Sequence, residues 1–332
     1  MLKALFCLSG SAVAVLGILV HQVAFAADPE GHELEAIPAG VATIEEQFQV
    51  RIVAEGLRRL GYRVPAVSEA NYPQAHKAVA DGHAHWSANH WDPLHQPFFD
   101  AVGGERSIVR AGNLVKDSIQ GYLIDRKTAE EYNITDLSQL RDPRIATLFD
   151  IDGDGKSDLT GCNVGWGCAL EIKRHIAEQG LGAAIVQKQG DYFTMMMDVV
   201  ARYNAGKPIL YYAWTPLWVS AVLVPGKDSR WLTVGGGSTE RTLSPAPGAI
   251  DTGFAVNTQM ILANKRWLEQ NPAAERFFSQ VAIDAAEISS QNMRMRSGES
   301  SSEDIDRHVQ HWIRTHEKEF NAWIEAASKT AS

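Results

Sequence analysis

Residues 161–168 have the sequence GCNVGWGC, in which two cysteines enclose a tryptophan that stands between two glycines. A run typical of a helix follows directly at residues 169–179. Glycine lets the backbone approach a ligand closely, and the unpaired N–H groups at a helix start favour an anion. The face of Trp166 can attract a cation. The segment therefore predicts a corner for a ligand that carries both a cationic group and a carboxylate. A disulfide-bonded surface turn with a packed tryptophan is the alternative.

The first 26 residues predict the compartment. A short basic start at Lys3 precedes an apolar run at residues 4–20, and residues 24–26 (AFA) form a small-x-small cleavage site. This pattern is typical of a secretory signal peptide cut before Ala27. A retained membrane anchor is the alternative, but the run lies near the lower length limit for a spanning helix. We expect an exported mature chain without a membrane span.

Cleavage would leave two cysteines, Cys162 and Cys168. In an oxidising compartment a pair this close in sequence predicts a disulfide. A metal-binding pair is the alternative, but histidine partners at zinc-like spacing are missing nearby. A loop this short constrains the unfolded chain by only about 2 kcal/mol. The larger expected effect is local, because the bond would hold the turn that carries Trp166.

Length and charge limit the class of protein. Removing 26 of the 332 residues leaves 306, which exceeds the size at which a single core usually stops growing, so we expect two lobes. The formal net charge of −9 argues against nucleic acid and anionic lipid as partners. The chain has no GxSxG, HExxH or CxxC motif, so we expect a binding protein and not an enzyme.

The hydrophobic pattern alternates between helices and strands. Predicted strands lie at residues 62–64, 84–88, 121–124 and 208–214, with another beginning at 253–256. Predicted helices lie at residues 43–60, 71–80 and 128–132, and the chain is mostly helical from residue 261 onward. This alternation predicts open α/β sheets with helices on both faces, which bind ligands at the carboxyl ends of strands. The segments around Trp91 and Trp214 both follow such strands.

Several motifs occur in the order of one known family. Residues 90–95 (HWDPLH), 161–168 and 211–218 (YYAWTPLW) carry the resemblance, which residues 120–125 (QGYLID), 152–156 (DGDGK) and 263–267 (ANKRW) extend. Together they resemble the periplasmic glycine betaine/proline betaine-binding proteins of osmoprotectant ABC importers. The likeness covers about 300 residues, and the motifs in register are far more specific than any one alone.

The resemblance implies a fold and a function. The expected fold is the two-lobed, type II periplasmic binding protein fold, with an open α/β sheet in each lobe and the ligand in the cleft between them. We expect a signal peptide at 1–26, a discontinuous lobe 1 at 27–117 plus 250–332, and lobe 2 at 118–249. The chain would cross between lobes near residues 116–120 and 248–252. The implied function is capture of a betaine in the periplasm for the permease subunits, with no cofactor required.

The resemblance also implies the ligand-binding residues. The family's aromatic box falls on Trp91, Trp166 and Trp214. Its carboxylate contacts fall on the His95 side chain and on the backbone N–H groups of Gly167 and Cys168. A quaternary ammonium has no hydrogen to donate, so aromatic faces are what can recognise it. Trp86 could line the cleft or pack beneath it, and Trp218 is expected to support the box.

The sequence leaves two other classes of ligand as alternatives. A choline or carnitine receptor of the same fold is one alternative, and Asp92 beside the box could shift preference toward choline. A secreted metal receptor is a weaker alternative that rests on His83, His85, His90 and His95. Neither cysteine nor closely spaced carboxylate completes a tetrahedral set there.

Residues 150–158 (DIDGDGKSD) resemble a calcium loop. Asp150, Asp152, Asp154 and Asp158 match its first, third, fifth and ninth positions. The twelfth position is Gly161, so the bidentate glutamate is missing. Calcium binding is possible here, and an acidic turn without metal is the equal alternative.

Overall fold

The computed structural model describes residues 34–41, 43–235 and 251–329. The predicted signal peptide lies outside these residues, and so does most of the second predicted crossing. No helix among the described residues is both long enough and apolar enough to cross a membrane.

The described residues alternate strands and helices along the chain. The strands are β1 Ala39–Val41, β2 Ser68–Ala70, β3 Trp86–Asp92, β4 Ile108–Ser118, β5 Gln120–Asp125, β6 Ser157–Thr160, β7 Ile185–Lys188, β8 Leu210–Trp214, β9 Ser229–Trp231 and β10 Asn257–Asn264. The first helices are α1 Gln47–Arg59, α2 Tyr72–Asp81, α3 Gln96–Ala101, α4 Arg126–Glu131, α5 Pro143–Ala146, α6 Gly167–Glu178 and α7 Tyr192–Asn204. The later helices are α8 Trp218–Val222, α9 Lys265–Gln270, α10 Pro272–Gln280, α11 Ala285–Arg296, α12 Ser302–Thr315 and α13 Glu317–Ser328.

Local sequence explains the helices that border the site. In α1 the apolar residues recur at helical spacing and are buried, and the helix stops before Gly61, which has a φ of 94°. Asn71 caps the start of α2 with a capping box. Its side chain accepts from the Gln74 N–H at 2.9 Å, and the Gln74 side chain accepts from the Asn71 N–H at 3.2 Å.

The first sheet has three strands in the order β3-β10-β4, and β10 runs antiparallel to both neighbours. Its hydrophobic core joins α1 to the C-terminal helices α10, α12 and α13. Strands β1 and β2 form a separate parallel pair beside it. Residues from both ends of the chain therefore build one core.

The second sheet has five strands in the order β7-β6-β8-β5-β9. Strand β6 is parallel to both β7 and β8, whereas β5 is antiparallel to β8 and β9. A second hydrophobic core, formed mainly by residues 122–234, covers this sheet. The carboxyl ends of β6 and β8 point to the same edge, where the segments at residues 161–168 and 215–218 begin.

Two chain segments connect the sheets. Strand β4 ends at Ser118 in the first sheet, and β5 begins at Gln120 in the second. The Thr252 hydroxyl donates to the Gln120 backbone oxygen at 2.7 Å, so the returning segment lies directly against the outgoing one.

The structure differs from the sequence prediction at several places, among them residues 261–264, which belong to β10 and not to a helix. Residues 62–64 form only an isolated bridge between Glu35 and Arg63, because Pro65 cannot donate to a strand ladder. The strand predicted to begin at 253–256 begins at Asn257, since Gly253 has a φ of 75°, which no strand residue adopts. Strand β3 extends to Asp92, whereas the predicted strand ends at residue 88.

Candidate functional site

A cavity lies between the two sheets, and about 420 Å³ of space in it, open solvent included, is free of protein atoms. All six residues predicted to bind ligand line it. They are Trp91, His95, Trp166, Gly167, Cys168 and Trp214. The first two come from β3 and the turn before α3, and the others come from the segments beside the second sheet. The chain thus brings three distant segments, residues 91–95, 166–168 and 214, to one place.

Three tryptophan rings form the apolar wall of the cavity. Trp91 and Trp214 stand at or next to the carboxyl ends of β3 and β8, and Trp166 immediately precedes α6. The Trp166 and Trp214 rings meet edge to face, with centroids 6.0 Å apart and planes at 71°. The Tyr72 ring stands 5.9 Å from that of Trp166, also edge to face. Aromatic residues that the sequence did not single out therefore extend the predicted box.

Packing behind the box limits its movement. Buried Tyr192 lies 4.9 Å from the Trp214 ring and 5.9 Å from the Trp166 ring. Its hydroxyl donates to the Tyr212 backbone oxygen at 2.9 Å. Because a buried aromatic side chain has little rotamer freedom, this tyrosine fixes the two indole rings against each other.

The start of α6 forms the polar corner of the cavity. Gly167 and Cys168 are its first two residues, so their N–H groups precede the first acceptor within the helix. A Cβ added at Gly167 would lie 2.9 Å from Leu94 Cγ and 3.0 Å from His95 Cδ2. Only glycine permits this approach of α6 to the segment that follows β3. The disulfide between Cys162 and Cys168, expected from the sequence, is present and ties the turn to the helix start.

His95 is buried and lies where that segment meets the helix start. The Trp91 backbone N–H donates to its Nδ1 at 3.2 Å. This contact assigns the proton of the neutral ring to Nε2. Burial first, and then His76 and His90 nearby, hold the pKa of His95 well below its ordinary value, whereas a hydrogen bond to the Asn89 backbone opposes the shift. The ring is therefore neutral near pH 7 and offers one N–H group.

Glu46 also lines the cavity, and the sequence analysis missed it. Its carboxylate accepts from Trp91 Nε1 at 2.7 Å, from the Tyr72 hydroxyl at 3.2 Å and from Asn89 Nδ2 at 2.6 Å. Burial raises the pKa of Glu46 to about 7, although these three hydrogen bonds oppose the rise. The acidic pair Glu45 and Glu46 was visible in the sequence, but such pairs commonly stand at helix starts for electrostatic reasons.

The remaining tryptophans and Asp92 lie outside the cavity lining. Trp86 packs against Phe278 in the first core, and Trp218 lies in the second core beneath the Arg296 guanidinium. The Asp92 carboxylate accepts from Arg110 Nε at 2.9 Å and faces His90. It therefore points away from the three indole rings.

The four histidines that suggested a metal receptor do not come together. His83 is exposed, and His85 stacks on Trp267 at 5.0 Å. Only His90 and His95 converge, and the residue that joins them is His76 of α2, which the sequence analysis did not consider.

The loop at residues 150–158 gathers carboxylates of Asp150, Asp152 and Asp158, with atoms within 4.8 Å of one another. Lys188 Nζ lies 2.6 Å from Asp152 Oδ2 and 2.7 Å from Asp158 Oδ1. Hydrogen bonds to these two carboxylates raise the pKa of Lys188, so the ammonium stays charged. A cation of the chain itself therefore already pairs with two of the carboxylates of this loop.

Sequence comparison identifies relatives over nearly the whole chain. Residues 38–315 match the family described as the substrate-binding domain of ABC-type glycine betaine transport systems. The chain is 42% identical to the glycine betaine-binding periplasmic protein OusX of Dickeya dadantii, over 98% of this chain and 99% of the relative. It is also 42% identical to the glycine betaine/proline betaine-binding periplasmic protein of Escherichia coli, over 93% of this chain and 94% of the relative.

Solved structures with the same fold are more distant in sequence. Lactococcal OpuAC, closed on glycine betaine, superposes with a TM-score of 0.67 at 15% identity and covers 88% of this chain and 99% of its own. A choline-binding protein of an ABC transporter, in complex with choline, superposes with a TM-score of 0.68 at 13% identity. The match covers 88% of this chain and 91% of that protein. These likenesses confirm the type II periplasmic binding protein fold.

Proposed function

Because the chain belongs to the family of substrate-binding domains of ABC-type glycine betaine transport systems, we propose that it captures glycine betaine or proline betaine in the periplasm and delivers it to the permease. Members of this family are components of transport systems and not enzymes. The observation that supports this ligand class best is the shared cavity, in which three indole rings stand beside the start of α6. A betaine carries the two charges that these groups attract.

The cationic end of the ligand would lie among Trp91, Trp166 and Trp214. An aromatic face attracts a desolvated cation by up to about 2 kcal/mol, and tryptophan does so best. The Glu46 carboxylate accepts the Trp91 indole N–H, which places a negative charge behind that ring. This arrangement makes the wall favourable for a quaternary ammonium, which cannot use hydrogen-bond acceptors.

The carboxylate end would lie against the Gly167 and Cys168 N–H groups and His95 Nε2. Two N–H groups at a helix start favour an anion through hydrogen bonding and through the helix dipole. The neutral His95 ring supplies a third donor from the other side of the cavity. Micromolar affinity needs about −8 kcal/mol, which three aromatic faces and a triply held carboxylate can supply.

Ligand capture would couple to closure of two lobes. We assign lobe 1 to residues 27–117 plus 250–332 and lobe 2 to residues 118–249. The two hydrophobic cores and the passage from β4 to β5 at residues 118–120 support this division. Because His95 and Gly167 belong to different lobes, a carboxylate bound by both would stabilise the closed form that the permease recognises.

Choline is the second candidate, and Glu46 is the observation that favours it. An ionised Glu46 gives the cavity a negative charge, which suits a ligand with a net positive charge. The donors at Gly167, Cys168 and His95 argue for the betaines, since choline has only a hydroxyl where a betaine has its carboxylate.

A calorimetric titration distinguishes these ligands. Dialysed protein that begins at residue 27 is titrated with glycine betaine, proline betaine, choline and carnitine. We expect one site with micromolar affinity for the betaines, weaker binding of choline, and chemically unchanged ligand afterwards. Tighter binding of choline than of either betaine would favour the second candidate, and no binding of any of the four would refute the proposal.

Calcium at residues 150–158 stays a prediction, and the structure offers an observation against it. Calcium would have to displace the Lys188 ammonium from Asp152 and Asp158. We propose that the lysine, and not calcium, is the cation that pairs with these two carboxylates. Calorimetric titration with calcium should give no heat for the unaltered protein, and saturable calcium binding would contradict this.

A further inference from the structure

Three buried histidines converge beside the ligand cavity. His76 comes from α2, His90 from β3 and His95 from the turn before α3. One ring nitrogen of each lies within 4.8 Å of the other two. The closest pair is His76 Nε2 and His90 Nδ1, which are 2.9 Å apart.

The outer nitrogens of two of these rings face acceptors. His76 Nδ1 is 2.7 Å from the Tyr72 carbonyl oxygen, which can only accept. His90 Nε2 is 3.4 Å from Asp92 Oδ1, and Arg110 donates to the same oxygen at 2.9 Å. When both outer nitrogens carry the protons, His76 Nε2 and His90 Nδ1 turn their lone pairs toward each other.

We propose that His76, His90 and His95 bind a divalent transition metal ion of the zinc class. Imidazole nitrogen is a preferred ligand of zinc, copper and nickel. Metal-binding histidines almost always donate their second N–H to a carboxylate or a backbone carbonyl, as Asp92 and Tyr72 accept here. Zinc–nitrogen bonds of about 2.0–2.1 Å separate tetrahedral nitrogens by about 3.3 Å, so the close pair needs to part by only a few tenths of an ångström.

The site connects to the ligand cavity through His95. All three rings are buried, but His95 lines the cavity, which gives a metal ion its route of entry. The Trp91 N–H contacts His95 Nδ1, so the ion would take Nε2. The ring proton would then move to Nδ1, and the Trp91 N–H would have to give up its contact with that nitrogen. This coupling rests on the proposed function, because it removes the N–H group assigned to the betaine carboxylate.

A chain of hydrogen bonds is the competing explanation of the cluster. In that arrangement His90 Nδ1–H donates to His76 Nε2, and His90 Nε2 loses its proton. An unprotonated nitrogen would then face the Asp92 carboxylate, and two acceptors would oppose each other at 3.4 Å. A metal ion between His76 Nε2 and His90 Nδ1 removes that conflict, because both outer nitrogens then keep their protons.

Direct titration tests the site without any betaine. Chelator-treated protein is titrated with ZnCl₂ against a zinc indicator, and with CoCl₂ followed by visible absorption. We expect one equivalent of zinc at micromolar or lower Kd, and a cobalt spectrum with nitrogen ligands. His76→Gln and His90→Asn should each weaken zinc at least tenfold, and His83→Gln, at an exposed position, should not. Melting temperatures in chelator establish that each variant is folded.

Two results would overturn the proposal. One is the absence of stoichiometric zinc binding by the unaltered protein. The other is equal zinc affinity in the unaltered protein and in folded His76→Gln and His90→Asn, which would locate zinc elsewhere and leave a hydrogen-bond chain at the cluster.

The coupling has its own measurement. With zinc at ten times its Kd, simple competition for His95 weakens glycine betaine roughly tenfold, and zinc should have no such effect in His76→Gln. Unchanged or tighter betaine binding in zinc would refute the coupling. Zinc binding in a protein that fails to bind any betaine would instead refute the proposed function alone.

Discussion

Replacement of His95 by alanine tests how the carboxylate of the ligand is held. The imidazole offers Nε2–H to the cavity, because Trp91 N–H contacts Nδ1. Losing a hydrogen bond to a charged group costs roughly 1.5–3 kcal/mol. We therefore expect glycine betaine to bind about 10-fold to 150-fold more weakly. Choline has no carboxylate and should lose less.

The comparison between two ligands in one variant supplies the control. His95 contacts Tyr72 and Phe98, so its removal can also loosen the wall of the cavity. Such loosening would weaken both ligands alike, whereas loss of a carboxylate donor weakens glycine betaine more than choline. Both ligands are titrated by calorimetry, and His83→Ala serves as the matched variant at an exposed histidine. Equal losses for choline and glycine betaine would refute the role of His95 as a carboxylate donor.

Three further predictions concern other parts of the cavity. Trp166→Ala or Trp214→Ala should weaken glycine betaine at least tenfold, about 1.4 kcal/mol, while Trp267→Phe, outside the cavity, should leave the titration unchanged. Reduction of the disulfide should cause a larger relative loss in betaine affinity than in the free energy of unfolding, since Cys168 both closes the bond and offers an N–H; two free thiols in denatured, unreduced protein would refute the bond itself. Burial raises the pKa of Glu46 to about 7, and a bound cation favours the ionised form of this carboxyl. The affinity for glycine betaine should therefore fall roughly tenfold from pH 8 to pH 6. An affinity that does not change with pH, or the same pH dependence in Glu46→Gln, would contradict this.

Much of the site was predictable because its residues lie in compact motifs. Trp166, Gly167 and Cys168 are adjacent in sequence, and the glycines and the helix start signal their chemistry locally. Trp91 and Trp214 follow strong strand patterns, so their position at strand ends follows from the α/β alternation. Family resemblance then gave each motif its role.

Glu46 and His76 could not be predicted in this way. Each lies on the first turns of an ordinary amphipathic helix, where a glutamate or a histidine is usually exposed. Their burial depends on the packing of α1 and α2 against β3, which no local pattern encodes. Because local sequence does not encode this packing, His83 and His85 were grouped with His90 and His95 by their closeness in sequence. In the structure it is His76 that lies beside His90 and His95.

The prediction of a strand beginning at residues 253–256 was wrong for a different reason. The apolar run there is typical of a strand, but Gly253 has a φ of 75° and the ladder begins only at Asn257. The sequence does not distinguish a glycine that is required for a positive φ from a glycine that a strand tolerates.

A crystal structure of the protein with glycine betaine would show which residues hold each end of the ligand. We expect the trimethylammonium group within about 6 Å of the ring centroids of Trp91, Trp166 and Trp214. We also expect the carboxylate at hydrogen-bond distance from the Gly167 and Cys168 N–H groups and His95 Nε2. A ligand bound outside this cavity, or one whose carboxylate points away from the start of α6, would contradict this binding mode.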